Sequence, residues 1–427
     1  MLNNRSFKFF GNDESSPANL LFDYTSQESE NKFRAENAIF KGGLTLKYGV
    51  NYEYARFFIE NFDRSIPGLN EPINVNDQAF FHSYGAFISA SQTFLSERLL
   101  VSGGVRMDGS DFGATAANPL NQISPRLNLS YQLKPNLFLT ANTGIYYQKP
   151  PYTALGFRDN AGVLVNQEND IRWIRAVHYI AGIEKVIPEK SRRFTAEVFY
   201  KGYSNYPTSI RNGIALANLG ADFGVIGNEP VASDAEGRAF GMEFLAQQRL
   251  FNNFFGIASL TLVRSEFTNP NTEGFVPSAW DNRFIVSLTA GYRFGKNWEA
   301  GARWRWLGGT PFTPDDLEAS ALIANWDSRG VAIPDFTRIN ALRLAAFNQL
   351  DFRIDKKYFF DKWNLNWYFD VQNAFNLEAD QPPLLLPTRN PDGSLRVSSV
   401  NPEKYDLRQV ANPAGTILPT IGLIIEF

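Results

Sequence analysis

The sequence contains no cysteine, which removes disulfides, thiolate metal sites and cysteine nucleophiles together. It has only two histidines, His82 and His178. Neither belongs to an H-x-x-x-H pair nor sits beside a Ser–Asp partner, so both read as ordinary strand residues. A basic excess is also missing: 41 Lys and Arg face 44 Asp and Glu, for a formal charge of −3 and a pI near 5.7. Nucleic acid is therefore not an expected partner. No run of 18 apolar residues occurs, which excludes a transmembrane helix, and Met1 is followed by Asn3, Asn4 and Arg5 rather than by the apolar core of a signal peptide. The nucleophile elbow, the P-loop, the H-E-x-x-H pair and the dinucleotide fingerprint are all absent. Gly220 to Gly224 matches no phosphate loop, and Asp351 and Asp355 share a strand face with Arg353, as a solvated wall would. The expectation is no enzyme, no catalytic or metal residue and no cofactor.

What is abundant is aromatic: 37 Phe, 17 Tyr and 8 Trp in 427 residues, a composition of strand formers and interface anchors. That length suits two or three soluble domains or one large barrel. In the last stretch, Ile421, Leu423, Ile425 and Phe427 fall on one face of an extended strand, with Thr420, Gly422 and Glu426 on the other. Taken alone, this is either a strand closing a barrel in lipid or an edge strand of a soluble sandwich.

The connections separate the two readings. Predicted strands cover Ser6–Phe10, Lys32–Phe40, Leu44–Phe62, Ala79–Phe94, Leu99–Met107, Arg126–Leu133, Leu137–Tyr147 and Trp173–Ile187. They continue with Arg193–Tyr203, Arg238–Leu250, Phe254–Phe267, Asn282–Phe294, Trp298–Leu307, Leu350–Phe360, Trp363–Val371 and Leu418–Phe427. Polar stretches of very different length alternate between them: Lys41-Gly42-Gly43 is a tight turn, whereas Gly308–Ala346 and Asn376–Thr416 are long. Sandwich loops have no reason to sort this way, but outer-membrane barrels have short periplasmic turns and long extracellular loops. Several strands also alternate with a period of two. Trp298, Ala300, Ala302, Trp304 and Trp306 oppose Glu299, Gly301, Arg303 and Arg305, and Leu350, Phe352 and Ile354 oppose Asp351, Arg353 and Asp355. A strand of about ten residues tilted near 40° spans about 25 Å, the height of the apolar band. The pattern predicts an all-β, antiparallel transmembrane barrel of about sixteen strands, with Glu299, Arg303, Arg305, Asp351 and Arg353 facing the lumen. Two short helices are expected inside the longest loops, over Leu317–Trp326 behind Thr313-Pro314-Asp315-Asp316, and over Lys404–Val410 behind Asn401-Pro402-Glu403. The stretch Asn12–Glu28 is expected to be a polar loop.

Several motifs, in order, resemble those of TonB-dependent outer-membrane transporters. They are Ser124-Pro125-Arg126-Leu127 with Leu129-Ser130-Tyr131, then Asn136–Tyr147 and Pro150-Pro151; Gly237–Phe244; Asp281-Asn282-Arg283; Gly308–Pro314; and Leu350-Asp351-Phe352-Arg353 with Asp370–Asn376. The resemblance runs from about Lys32 to the end. It implies a barrel in the outer membrane of a Gram-negative cell that imports a scarce nutrient such as a metal chelate, vitamin or glycan. It also implies a terminal row, Ile421, Leu423, Ile425 and Phe427, read by the barrel assembly machinery. Family barrels have 22 strands around an amino-terminal plug through which the TonB complex acts. Residues 1–427 are thus expected to be the carboxy-terminal part of such a barrel, without plug and first strands, not competent alone. Two other readings stay open: a passive pore of sixteen strands whose lumen row tunes ion selectivity, and a surface barrel that moves no solute. Either Ser6–Phe10 pairs with the terminal strand to close a smaller ring, or the sheet depends on further strands. The ligand and its contact residues are unassigned.

Overall fold

The computed structural model describes residues 2–10, 16–64, 71–220 and 226–427. The strands are β1 (Leu2–Phe10), β2 (Leu20–Lys41), β3 (Leu44–Asp63), β4 (Ile73–Phe94), β5 (Leu99–Ser110), β6 (Ser124–Lys134), β7 (Leu137–Gln148), β8 (Ile174–Ile187) and β9 (Arg192–Ser209). A two-residue β10 (Ile214–Ala215) precedes β11 (Val231–Phe251), β12 (Phe254–Asn269), the short β13 (Thr272–Pro277), β14 (Phe284–Phe294) and β15 (Trp298–Leu307). Then come β16 (Pro311–Phe312), β17 (Leu342–Arg343), β18 (Phe347–Phe359), β19 (Asn364–Gln372), β20 (Leu384–Pro387), β21 (Leu407–Val410) and β22 (Leu418–Glu426). Eighteen of these form one sheet, in which β10 and β13 only extend the loop ends of β9 and β12. The other sixteen make an antiparallel meander, each long strand pairing with the next, from β1 and β2 through to β19 and β22. The small pairs β16–β17 and β20–β21 lie apart from it.

Two of the hairpins close on residues that readily take left-handed backbone, whereas the β4–β5 turn imposes it on Leu95, Ser96 and Glu97. Gly42 and Gly43 have φ of +54° and +83°, and Asn252 and Asn253 have φ of +50° and +65°. Positive φ at both central residues suits the right-handed twist of the flanking strands.

The ordered pairing matches the sixteen strands read from the sequence, but the strands reach further at the long-loop end. β2 and β4 each have 22 residues, about 70 Å along the strand, well beyond a 25 Å apolar band. The polar expectation for Asn12–Glu28 is accordingly corrected where it is described: Leu20–Glu28 is strand, held by Ser26↔Ile59 and Glu28↔Phe57 pairing. Leu21, Tyr24 and Ser26 in it are buried, Tyr24 beneath the long loops. Residues 11–15 lie outside the described part.

Loop details also differ. The helix expected over Leu317–Trp326 is two short helices, α1 (Leu317–Ala321) and α2 (Ile323–Arg329), broken at Leu322. Its N-cap is Asp316, which accepts from Ala319 N at 2.9 Å. The helix expected over Lys404–Val410 does not form. Asn401 Oδ1 instead accepts from Glu403 N at 2.9 Å, a local turn, and Leu407–Val410 pairs as β21 with β20.

Among the described residues β1 pairs only with β2, and β22 only with β19. The smaller ring that would join Ser6–Phe10 to the terminal strand is not made.

Candidate functional site

The two faces of the meander have different chemistry. One carries exposed apolar side chains, among them Leu127, Leu129, Tyr179, Val198, Tyr200, Met242 and Phe352. The other is charged, and most densely so across β14, β15, β18 and β19. The register places Arg303 opposite Asp351, Arg305 opposite Gln349 and Glu299 opposite Asp355. Arg303 donates through Nε and NH2 to Asp351 Oδ2 at 3.0 and 2.7 Å, and Gln349 donates to Asp351 Oδ1 at 2.6 Å. Arg305 donates to Gln349 at 2.8 Å. One turn of the pleat further on, Arg353 grips both oxygens of Asp355 at 2.8 Å and lies 4.0 Å over the Tyr368 ring. Glu299 accepts from Arg293 at 2.8 Å.

The five residues predicted for a common face therefore meet in three neighbouring ion-pair groups, with the apolar row of β15 on the opposite face. Four of them, Glu299, Arg303, Asp351 and Arg353, line a cavity of about 520 Å³ together with Asp355, Asn366 and Asp370, and Arg305 stands outside it. Arg305 Nε, Asn366 Oδ1 and Asp370 Oδ1 are buried and unpartnered within the protein, so the wall keeps both donor and acceptor capacity. Arg293 and Gln349 were not among the predicted residues. Their role depends on cross-strand register, which local alternation does not specify.

A second feature occupies the long-loop end of β2–β4. Tyr24, Phe57, Ile59, Val75 and Phe81 of the wall pack against Phe112, Leu155, Phe157, Ile171 and Leu216 from the loops. Asn166, fully buried, pins that cluster: its amide donates to Ala154 O at 2.8 Å and Glu229 O at 2.9 Å, and its oxygen accepts from Val231 N at 2.7 Å. Below it, Tyr152 donates to Glu30 at 3.0 Å and to Glu53 at 3.2 Å, and Lys149 is bonded to Glu53. Burial pushes the Tyr152 phenol well above the ordinary tyrosine range, and the carboxylates of Glu53 and Glu30 add to it. It is a fixed donor, not an acid.

The motifs quoted from the sequence prove to be ties between loops and strand ends. Asp281, with no exposed side-chain surface, is ion-paired to Arg343, accepts from Ser265 N at 2.9 Å and lies 3.5 Å from Arg264. Arg343 also donates to Gly309 O at 3.0 Å. Side chains are excluded at Gly308 and Gly309, where a Cβ would stand 1.9 Å from Asn282 O and 1.7 Å from Leu344 O. Asn373 N donates to Asp351 at 3.0 Å, and Asn376 Oδ1 accepts from Ile417 N at 2.9 Å just before the terminal strand. His82 meets the Tyr52 hydroxyl at 2.6 Å, and His178 stacks on Tyr146. No cluster of three metal-ligating side chains occurs among the described residues.

An open run of antiparallel strands with short turns at one end, long loops packed at the other, and one charged and one apolar face has the character of a large β-barrel wall. The chain belongs to the TonB dependent receptor-like β-barrel family, whose profile matches residues 2–374. That match begins before the Lys32 boundary of the motif resemblance. A search of the curated proteins finds no significant match. Among solved structures the chain is similar to the copper transporter OprC, with 14% identity over 100% of this chain and 61% of that one, at a TM-score of 0.61. The ferric citrate transporter FecA gives 13% identity over 95% and 55%, at 0.57. The pyoverdine outer membrane receptor FpvA of Pseudomonas aeruginosa gives 13% over 97% and 57%, at 0.59. At these identities the likeness is one of fold. The chain spans between half and two thirds of the length of these structures.

Proposed function

We propose that this chain is the larger part of the barrel of an outer-membrane TonB-dependent receptor of a Gram-negative bacterium, importing a scarce nutrient such as a metal chelate, vitamin or glycan. The observation that carries the reading is the family match over residues 2–374 combined with a sheet whose two outer strands have no second partner among the described residues. Such a sheet fits a ring completed by further strands, with a plug domain as the point of contact for the TonB complex. In that ring Glu299, Arg303, Arg305, Asp351 and Arg353 face the lumen, the apolar row faces lipid, and Ile421, Leu423, Ile425 and Phe427 form the signal for the barrel assembly machinery. The protein performs no catalysis.

A passive pore of sixteen strands needs β1 and β22 to pair, and among the described residues each pairs only with β2 or β19, which favours the first reading. Uptake assays on cells that carry or lack the receptor test the proposal. Import of the nutrient class should require the receptor and stop when a protonophore collapses the inner-membrane gradient. Flux that survives the protonophore would establish a passive pore instead.

A further inference from the structure

The two ends of the wall carry opposite charge. Within three residues of the seven short connections the sequence has twelve Lys and Arg against four Asp and Glu, while the eight long connections hold 13 against 21. At the short-turn end only Arg193 and Arg293 of those twelve cations have a carboxylate within 4 Å among the described residues. Lys41, Lys134, Lys190, Arg249, Lys296 and Lys362 are all exposed.

Their placement is not random. Lys185 continues the outward row of Tyr179 and Ile183, and Arg192 that of Val198 and Phe194. These cations stand at the ends of apolar rows, where a long side chain lays its stem on hydrocarbon and lifts its charge to the interface. The same end carries aromatic rings on β14, β15, β18 and β19: Phe360 stacks on Trp363 at 4.3 Å, Phe294 faces Trp298 at 6.4 Å, and Lys356 sits 5.3 Å over Trp298 and 5.2 Å over Tyr358. Arg98 lies 5.3 Å over Tyr131. Aromatic belts mark the height of lipid headgroups. A belt whose cations mostly meet neutral groups rather than carboxylates, as Lys185 meets Pro135 O and Arg192 meets Gln248, is complementary to phosphate.

We infer that the short-turn rim is a binding surface for the phosphate headgroups of anionic phospholipids in the leaflet it meets. The inference rests on the membrane reading above and goes beyond it, because a barrel needs lipid around it but not lipid of one charge. The rim selects anionic over zwitterionic lipid and fixes the height of the wall in the membrane.

The test uses the purified receptor with its barrel complete, residues 1–427 joined to the strands that close the ring, reconstituted in vesicles of phosphatidylcholine containing phosphatidylglycerol, with bromine placed on one or the other lipid. Brominated phosphatidylglycerol should quench tryptophan more than brominated phosphatidylcholine at equal mole fraction, and 1 M salt should abolish the difference by shortening the screening length to about 3 Å. Local enrichment should be roughly fivefold for each cation that engages a headgroup. The variant Lys41→Gln, Lys190→Gln, Lys296→Gln and Lys362→Gln should keep its quenching by the zwitterionic lipid, which shows insertion, and lose most of the preference. Equal quenching by both lipids in an inserted protein overturns the inference alone, as does a preference unchanged in the variant. Absence of quenching by either lipid overturns the membrane reading and the inference with it.

Discussion

Asp281 shows how much a single side chain can hold in this fold. Its carboxylate is fully buried, and Arg343 is the cation closest to it. The guanidinium binds Asp281 and the Gly309 carbonyl together, tying the start of the 308–346 loop to the end of the β12–β14 connection. Removing the cation from a buried pair leaves a desolvated charge and costs about 3–5 kcal/mol, more than removing both partners. Arg343→Ala should therefore loosen the loop by about that amount, read as faster amide exchange across 308–346. Asp281→Asn in the same chain should restore part of the protection. Glu229 acts through its proton. Burial raises its pKa above the ordinary 4.5, against the lowering effects of the Ser209 hydrogen bond and of Arg211. The folded loops thus hold this proton more tightly than the unfolded chain does. The stabilisation is complete below pH 4.5 and is lost as pH rises through the raised folded value. Protease cleavage near 226–231 should increase over that interval, and Glu229→Gln should flatten the dependence.

Elements divide by how local their cause is. The sixteen strands were legible because apolar and polar residues alternate along many of them, as in Trp298–Leu307, and because several short turns carry Gly or Asn at positive φ, although Leu95, Ser96, Glu97 and Ser191 adopt it as well. Strand ends were not legible: Leu20–Glu28 mixes apolar Leu21, Phe22 and Tyr24 with a polar run from Thr25, and its pairing with β3, including Ser26↔Ile59 and Glu28↔Phe57, makes it strand. The segment behind Asn401 carried helix-start residues yet became β21, because β20 offered a partner and local propensity is a weak prior against pairing. In the same way the charged face could be named from β15 and β18, while Arg293 and Gln349 needed the register. The terminal strand combines both kinds of information. Ile421, Leu423 and Phe427 are 69%, 65% and 101% exposed, and Asn376 fixes where β22 starts. An apolar row of this kind, with no buried contacts to lose, suits the assembly role proposed for it at the membrane. Phe427→Asp should leave expression intact and reduce the receptor recovered from the outer-membrane fraction several-fold. Unchanged recovery would remove the role proposed for the row.

At the scale of the whole molecule, the edges decide what the chain can do. β1 and β22 each present nine residues whose outer backbone groups have no sheet partner among the described residues. In water this is tolerable, because the groups hydrogen-bond to solvent. In hydrocarbon each unpaired N–H or C=O costs several kcal/mol, so the two edges together cost tens of kcal/mol. No side-chain interaction in the wall is of that size: the ion pairs of the charged face are each worth a few kcal/mol at most. The open sheet therefore has two outcomes at a membrane, to stay out or to acquire strands. Residues 1–427 expressed alone should accumulate in a urea-extractable form without the heat-dependent electrophoretic shift of a closed barrel. The same residues joined to strands that complete the ring should resist urea and show the shift. A stable, heat-modifiable barrel from residues 1–427 by themselves would mean that β1 and β22 can meet after all, and the charged wall would then line a pore of sixteen strands.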